Sequence, residues 1–138
     1  MAEGLGAQVE QLLDEKSRRG ILGFLRSGYE STRGVQTKLK ETKMDPTEFD
    51  LVVLGTPVWN GRPSSPILTY LKNHDLSGKK TAIFSVSASS PGEETVERTK
   101  SLIPSVEFVG QLSITDPLKN PEETQRRIAD WCRELTPR

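Results

Sequence analysis

The chain is poor in the residues that build metal and disulfide chemistry: its 138 residues contain one cysteine, Cys132, and one histidine, His74. A lone Cys has no internal disulfide partner, and one Cys with one His falls short of the four ligands that zinc sites of this type use. Net charge is also missing, with 19 basic residues balanced by 19 acidic ones. That balance excludes the strongly basic composition expected of a nucleic-acid binder. No apolar run approaches the roughly 20 residues that a membrane-spanning helix requires. The first residues, Met1-Ala2-Glu3-Gly4-Leu5-Gly6, carry neither a basic n-region nor an apolar core, and no Asn-x-Ser/Thr sequon occurs. Repeats and low-complexity tracts are absent as well. The expectation is one compact cytoplasmic domain over residues 1–138 that binds neither nucleic acid nor membrane.

Charge is unevenly spread. Residues 16–43 hold eight basic side chains against Glu30 and Glu41, a local excess of +6, and the rest of the chain compensates. This suits the solvated face of a helix and its loop, or a docking patch for an anionic partner.

What is present is an alternation of strand and helix signals. Leu51-Val52-Val53-Leu54 is an unbroken apolar run, as in a strand covered on both faces of a parallel sheet. The turn-rich segment Gly55-Thr56-Pro57-Val58-Trp59-Asn60-Gly61 follows. A helix then starts at Ser64 or Ser65, with Pro66 in its first turn, and ends at Asp75-Leu76-Ser77-Gly78. A second strand is predicted over Thr81 to Ser87. Ser90-Pro91-Gly92-Glu93 fits a capping box, so a helix is expected from there to about Ile103. Val106, Phe108, Leu112 and Ile114 share one parity, broken at Gly110, and predict a third strand with these side chains on one face. Asn120-Pro121-Glu122-Glu123 starts a last helix, whose inward stripe is Ile128, Trp131, Cys132 and Leu135. Upstream, Ala7 to Leu13 reads as a polar edge strand and Ile21 to Tyr29 as a glycine-weakened helix. Successive βαβ units with right-handed crossovers give an α/β fold with a parallel sheet and helices on both faces.

Ligands of open α/β sheets bind beyond the carboxyl ends of the strands. Two segments leave strands there, Thr56 to Arg62 and Ser87 to Gly92. Trp59 lies among Pro and Gly, where it either stacks on a planar ligand or folds back over the sheet edge. Gly55 and Gly61 would permit close backbone approach to such a ligand. Asn60, Ser87 and Ser89 offer polar groups to its edges. His74 reads as a helix-end cap, Cys132 as core, and Glu93, Glu94, Glu97 and Arg98 as the polar face of a helix with no special role.

The stretch Phe49-Asp50-Leu51-Val52-Val53-Leu54-Gly55-Thr56-Pro57-Val58-Trp59-Asn60-Gly61, continuing to Leu68, resembles the third strand and first flavin loop of flavodoxins and flavodoxin-like NAD(P)H oxidoreductases. The likeness extends in pattern over almost the whole chain. It implies a three-layer α/β/α fold, non-covalent FMN, and electron transfer with a redox partner protein or a small-molecule acceptor. Carried over, Thr56, Pro57, Val58, Trp59, Asn60 and Gly61 would flank the flavin ring, and Ser87, Ala88, Ser89 and Ser90 would form the second flavin loop.

The sequence departs from the family in two ways. The second loop has no aromatic residue, so a ring would be stacked on one face only. The first, central strand and its Ser/Thr-rich phosphate loop are missing, which implies an N-terminally truncated version of the family's chain. Ser89 and Ser90, at the start of the following helix, are then the candidates for a substitute phosphate site. The gap left by the strand is expected to close by re-pairing of its two former neighbours or to be filled by a second copy in a homodimer. If the missing loop abolishes flavin binding, the chain is a flavin-free binding or scaffold module, or a non-functional fragment.

Overall fold

The structure, a computed structural model, describes residues 1–15 and 37–136. Its centre is a sheet of three parallel strands, β1 (Leu51–Pro57), β2 (Lys80–Ser87) and β3 (Glu107–Thr115), in the order β1-β2-β3. A helix follows each strand: α2 (Ser65–Asn73), α3 (Glu93–Ser101) and α4 (Pro121–Leu135). A single turn, α1 (Ala2–Leu5), precedes them.

Alternation along the strands sorts the apolar side chains into two cores. On one face Leu54 and Ile83 pack with Tyr70 of α2, Leu76, Val96 of α3 and Ile103. On the other, Ala82, Leu112 and Ile114 meet Trp131 of α4, flanked by Phe84, Ile128 and Leu135. The helix layers on both faces that the βαβ pattern predicts are therefore present, and the inward stripe of α4 lies where its spacing put it. Cys132 is buried, with its Sγ 3.7 Å from the Met1 carbonyl, so the end of the chain holds α1 in place.

Several expectations fail for identifiable reasons. The apolar residues of β3 do not share a face. Thr81 pairs with Phe108 and the next residue, Ala82, with Gly110, so Val109 is an extra residue in a bulge. Before the bulge Val106 and Phe108 pack on the α2/α3 side, and after it Leu112 and Ile114 pack on the α4 side. Gly110 is required there: a Cβ would come within 2.8 Å of Leu135 and 3.2 Å of the Trp131 indole nitrogen.

Ala7 to Leu13 form no strand. Val9 and Leu13 stay exposed, and the Glu10 carboxylate accepts from the backbone N–H groups of Lys43 (2.5 Å) and Met44 (3.2 Å), which fixes the segment through a side chain instead of a ladder. Sheet-like pairing is limited to one antiparallel bridge between Asp14 and Leu39. The expected re-pairing across the gap accordingly does not occur. Among the described residues β1 pairs with β2 alone. The helix expected over Ile21 to Tyr29, and five of the eight basic residues of the charged segment, lie outside the described residues. No helix among the described residues is long and apolar enough to cross a membrane.

Candidate functional site

The ladder continues one residue past the end of β1, because the Val58 N–H donates to the Val86 carbonyl of β2 at 3.1 Å. This holds the start of the segment after β1 alongside the carboxyl end of β2. The chain then reverses at once. Trp59 and Arg62 exchange backbone hydrogen bonds of 3.1 and 3.0 Å around Asn60 and Gly61, whose φ values are 50° and 69°. Two central residues with positive φ define the tight I′ hairpin turn that Asn-Gly favours. Thr56 ties the far end of this loop to the strand. Its buried hydroxyl accepts from the Ser64 N–H at 2.9 Å and donates to the Pro57 carbonyl at 3.0 Å. Trp59 is half-buried on this turn and Asn60 is at its exposed tip.

The second segment is held from the other side. Ser87 Oγ donates to the Ser90 carbonyl, Thr115 Oγ1 donates to the same carbonyl at 3.4 Å, and the Asp116 N–H donates to the Ser87 carbonyl at 2.8 Å. Ala88, Ser89 and Ser90 are exposed. The capping box expected at Ser90 is not formed. Helix α3 begins at Glu93 with Gly92 as N-cap, and Gly92 is needed because the Ser85 hydroxyl, which donates to the Gly92 carbonyl at 3.2 Å, fills the space a Cβ would take.

Two glycines make room for a neighbouring side chain. Gly55 leaves space for the ring of Phe84 beneath β1, so its missing side chain serves core packing. Gly61 faces Glu94, whose Oε2 lies 2.5 Å from the position a Cβ would occupy. The other oxygen of that carboxylate accepts from Arg98 Nε and Nη2 at 3.0 and 2.6 Å. Glu94 is exposed and pairs with Arg98 along α3, as expected of the polar face of that helix.

Two hollows lie elsewhere among the described residues. A cavity of about 400 Å³ lies at the amino end of the sheet, among Leu71, His74, Leu76, Leu102, Ile103 and Val106, and one of about 320 Å³ adjoins Thr37–Thr42. His74 borders both and caps α2 as expected: its N–H and its Nδ1 both contact the Tyr70 carbonyl at 3.0 Å, and its ring stacks on Tyr70 at 4.1 Å. Such hollows hold no convergent set of catalytic groups. The carboxyl-end loops are a shallow, open surface that offers an aromatic side chain, hydroxyls and backbone polar groups.

Known proteins share this fold. The fold is similar to that of a protein of Bacteroides eggerthii assigned as a flavoprotein, at a TM-score of 0.68 and 14% identity over 94% of this chain and 84% of that one. A protein of Bacteroides uniformis, also assigned as a flavoprotein, gives a TM-score of 0.67 at 16% identity over 83% and 77% of the two chains. A flavoprotein of Lactobacillus acidophilus, solved in complex with FMN, gives 0.62 at 18% identity over 87% and 76%. No curated protein matches the sequence. The sequence profile of the family described as Flavodoxin matches residues 14–135, which takes in all three strands, α2, α3 and α4, and both carboxyl-end loops. A parallel sheet with loops gathered at its carboxyl end and a profile match over nearly the full length lead to one conclusion, that this chain belongs to the flavodoxin family.

Proposed function

We propose that this chain binds FMN through its ring and carries electrons between a donor and a redox partner protein or small-molecule acceptor. One observation carries the reading: Trp59 stands on an I′ turn past the carboxyl end of β1, and the exposed loop Ala88–Ser90 leaves the same end of the neighbouring strand β2. These residues fit the ring end of FMN. Val58, Trp59, Asn60 and Gly61 supply an aromatic face and backbone polar groups, while Ser89 and Ser90 supply hydroxyls and amides. Thr56 and Pro57 shape the loop from beneath, and Ser87 braces the second loop. The flavin, when bound, supplies the redox chemistry, and the chain supplies position and local charge.

The same residues do not fit the phosphate end. The α3 N-terminus, where Ser89 and Ser90 were expected to serve, already carries Glu93 and Glu94 in its first turn. At α4 Asn120 caps the helix and Glu122 and Glu123 follow. At α2 the Ser64 amide is taken by Thr56, and Pro66 has none to offer. Ser65 and Thr95 carry buried hydroxyls without a partner, but neither is exposed to a ligand.

The test is the visible absorbance of the purified protein before and after incubation with FMN and desalting. A retained flavin spectrum, or quenching of flavin fluorescence that is lost in Trp59→Ala, is expected. A colourless protein that quenches no flavin overturns the reading. The poor fit of the phosphate end then favours a flavin-free binding or scaffold module.

We further propose that the chain is a single cytoplasmic domain and that a second copy covers the outer edge of β1. The packing of α1 on Cys132 of α4 supports one unit, and a single buried cysteine suits a reducing compartment. The segment Leu51–Pro57 carries no charged side chain to discourage edge pairing, and the zero net charge sets up no repulsion between copies.

A further inference from the structure

We propose that two copies of this chain pair antiparallel along the outer edge of β1, and that the pairing sets Phe49 of the partner subunit beside Trp59 to complete the ring site. The inference rests on the second copy and the flavin reading proposed above. It adds to them the register of the pairing and the residue that crosses it.

The hydrogen bonds of β1 fix which backbone groups face outward. Val58 turns its N–H to β2, and the backbone groups of a strand alternate in side. Val52, Leu54 and Thr56 therefore also face β2, and Leu51, Val53, Gly55 and Pro57 face the outer edge. Among the described residues that edge has no ladder partner. Pro57, which has no N–H, stands at the end of the row, where an edge tolerates it.

A strand that pairs antiparallel with its own copy does so about a two-fold axis. Leu54 is the middle residue of Leu51–Pro57, so an axis there engages the whole strand. Val53 then lies opposite Gly55 of the partner subunit and Leu51 opposite Pro57 of the partner subunit. Both are pairs whose backbone groups face the shared edge, and only the Leu51 carbonyl goes without a donor. An axis at Val53 or Gly55 would leave one end of each strand overhanging.

Charge selects the antiparallel arrangement. Glu48 and Asp50, both exposed, precede β1, and Arg62 closes the turn after it. The two-fold axis directs the acids of each copy toward the Arg62 end of the other, whereas parallel pairing would set acid against acid. The other charges close to the two ends lie one strand or helix further in: Lys79 Nζ donates to the Thr47 and Phe49 carbonyls, Lys80 is on β2, and Glu94 is engaged by Arg98.

The same axis makes the aromatic contact. Phe49 is half-buried and belongs to neither apolar core, and Lys79 holds its carbonyl at 3.1 Å. It lies five residues before Leu54, and Trp59 lies five residues after it. Pairing about Leu54 therefore brings Phe49 of the partner subunit to the Trp59 turn at both ends of the interface. The second loop, Ala88–Ser90, supplies no aromatic side chain, so a ring at Trp59 gains its second aromatic neighbour from the other copy.

The test mixes full-length Leu51→Cys and Pro57→Cys chains under mild oxidation, with the native Cys132 buried. Opposed residues of such a pair stand about 5.5 Å apart between Cα atoms, within disulfide reach, so the mixture should yield about ten-fold more linked dimer than either variant alone. In parallel, FMN fluorescence quenching is titrated at protein concentrations where the chain is dimeric. Phe49→Ala should weaken it about three-fold and Phe49→Tyr should restore it, with far-UV circular dichroism confirming that each variant is folded. No linked dimer overturns the pairing, and linkage as efficient in a single variant as in the mixture overturns its register. FMN affinity unmoved in Phe49→Ala overturns the shared site while the flavin reading stands. Linked dimer without any FMN quenching overturns the flavin reading and the role of Phe49 in it, and upholds the pairing.

Discussion

The carboxylate of Glu94 lies where a side chain at Gly61 would stand, so α3 and the Trp59 turn come close together at a glycine and an acid 33 residues apart in sequence.

Gly61→Ala should show this directly. At φ 69° an alanine is strained by about 1–2 kcal/mol, and its methyl group also displaces Glu94. We expect urea unfolding to register a loss of that order and the Trp59 emission spectrum to shift as the turn relaxes. A variant with wild-type stability and emission would mean that the turn does not depend on Gly61.

Gly55→Ala tests packing under the same loop. The added methyl group meets the ring of Phe84, whose edge in turn faces Trp131 at 6.3 Å between centroids. Overpacking of this kind costs about 1–3 kcal/mol. The expected signature is a lowered unfolding midpoint that Phe84→Leu in the same chain partly restores, because the smaller side chain gives back the space.

Tyr70 predicts a response to alkali. Its burial in the core with Leu54 and Ile83, beneath the stacked ring of His74, disfavours the phenolate and raises its pKa from the ordinary 10.0. A group whose pKa is higher in the folded state than in the unfolded one contributes stability that is intact below pH 10.0 and is lost as pH climbs toward the folded value. Urea unfolding as a function of pH should therefore show a decline above about pH 10 that is shallower in Tyr70→Phe. Equal slopes in the two proteins would contradict the assignment.

Among the described residues the outer edge of β1 has no ladder partner, which predicts association. Sedimentation velocity of the wild-type chain should show a dimer that dissociates on dilution. A wild-type chain that stays monomeric at high concentration removes the proposed second copy.

The sequence was a good guide wherever the controlling interactions are local. The apolar run Leu51 to Leu54, the Asn120 cap and the Ile128, Trp131, Cys132, Leu135 stripe each declare themselves within one or two turns of chain, and each is found as expected. Expectations failed where a distant residue decides. Phe84 claims the space beside Gly55, Ser85 claims Gly92, and Glu94 claims Gly61. No periodicity in the chain encodes those pairings. Ala7 to Leu13 failed for a related reason. A strand exists only with a neighbour to bond, and here Glu10 binds the backbone of Lys43 and Met44 instead.

The extra residue in β3 gives the domain a length tolerance that its other strands lack. Val109 has no partner in the ladder and lies on the exposed side of it. Deleting it would straighten β3 without moving Phe108, Leu112 or Ile114 to a new face. The same one-residue deletion within β1, which pairs with β2 without any offset, would turn Leu54 away from its core and carry Thr56 off the Ser64 amide. Insertions and deletions in relatives of this chain should therefore collect around Val109 and avoid β1, because the slack lies in the strand farthest from the Trp59 loop.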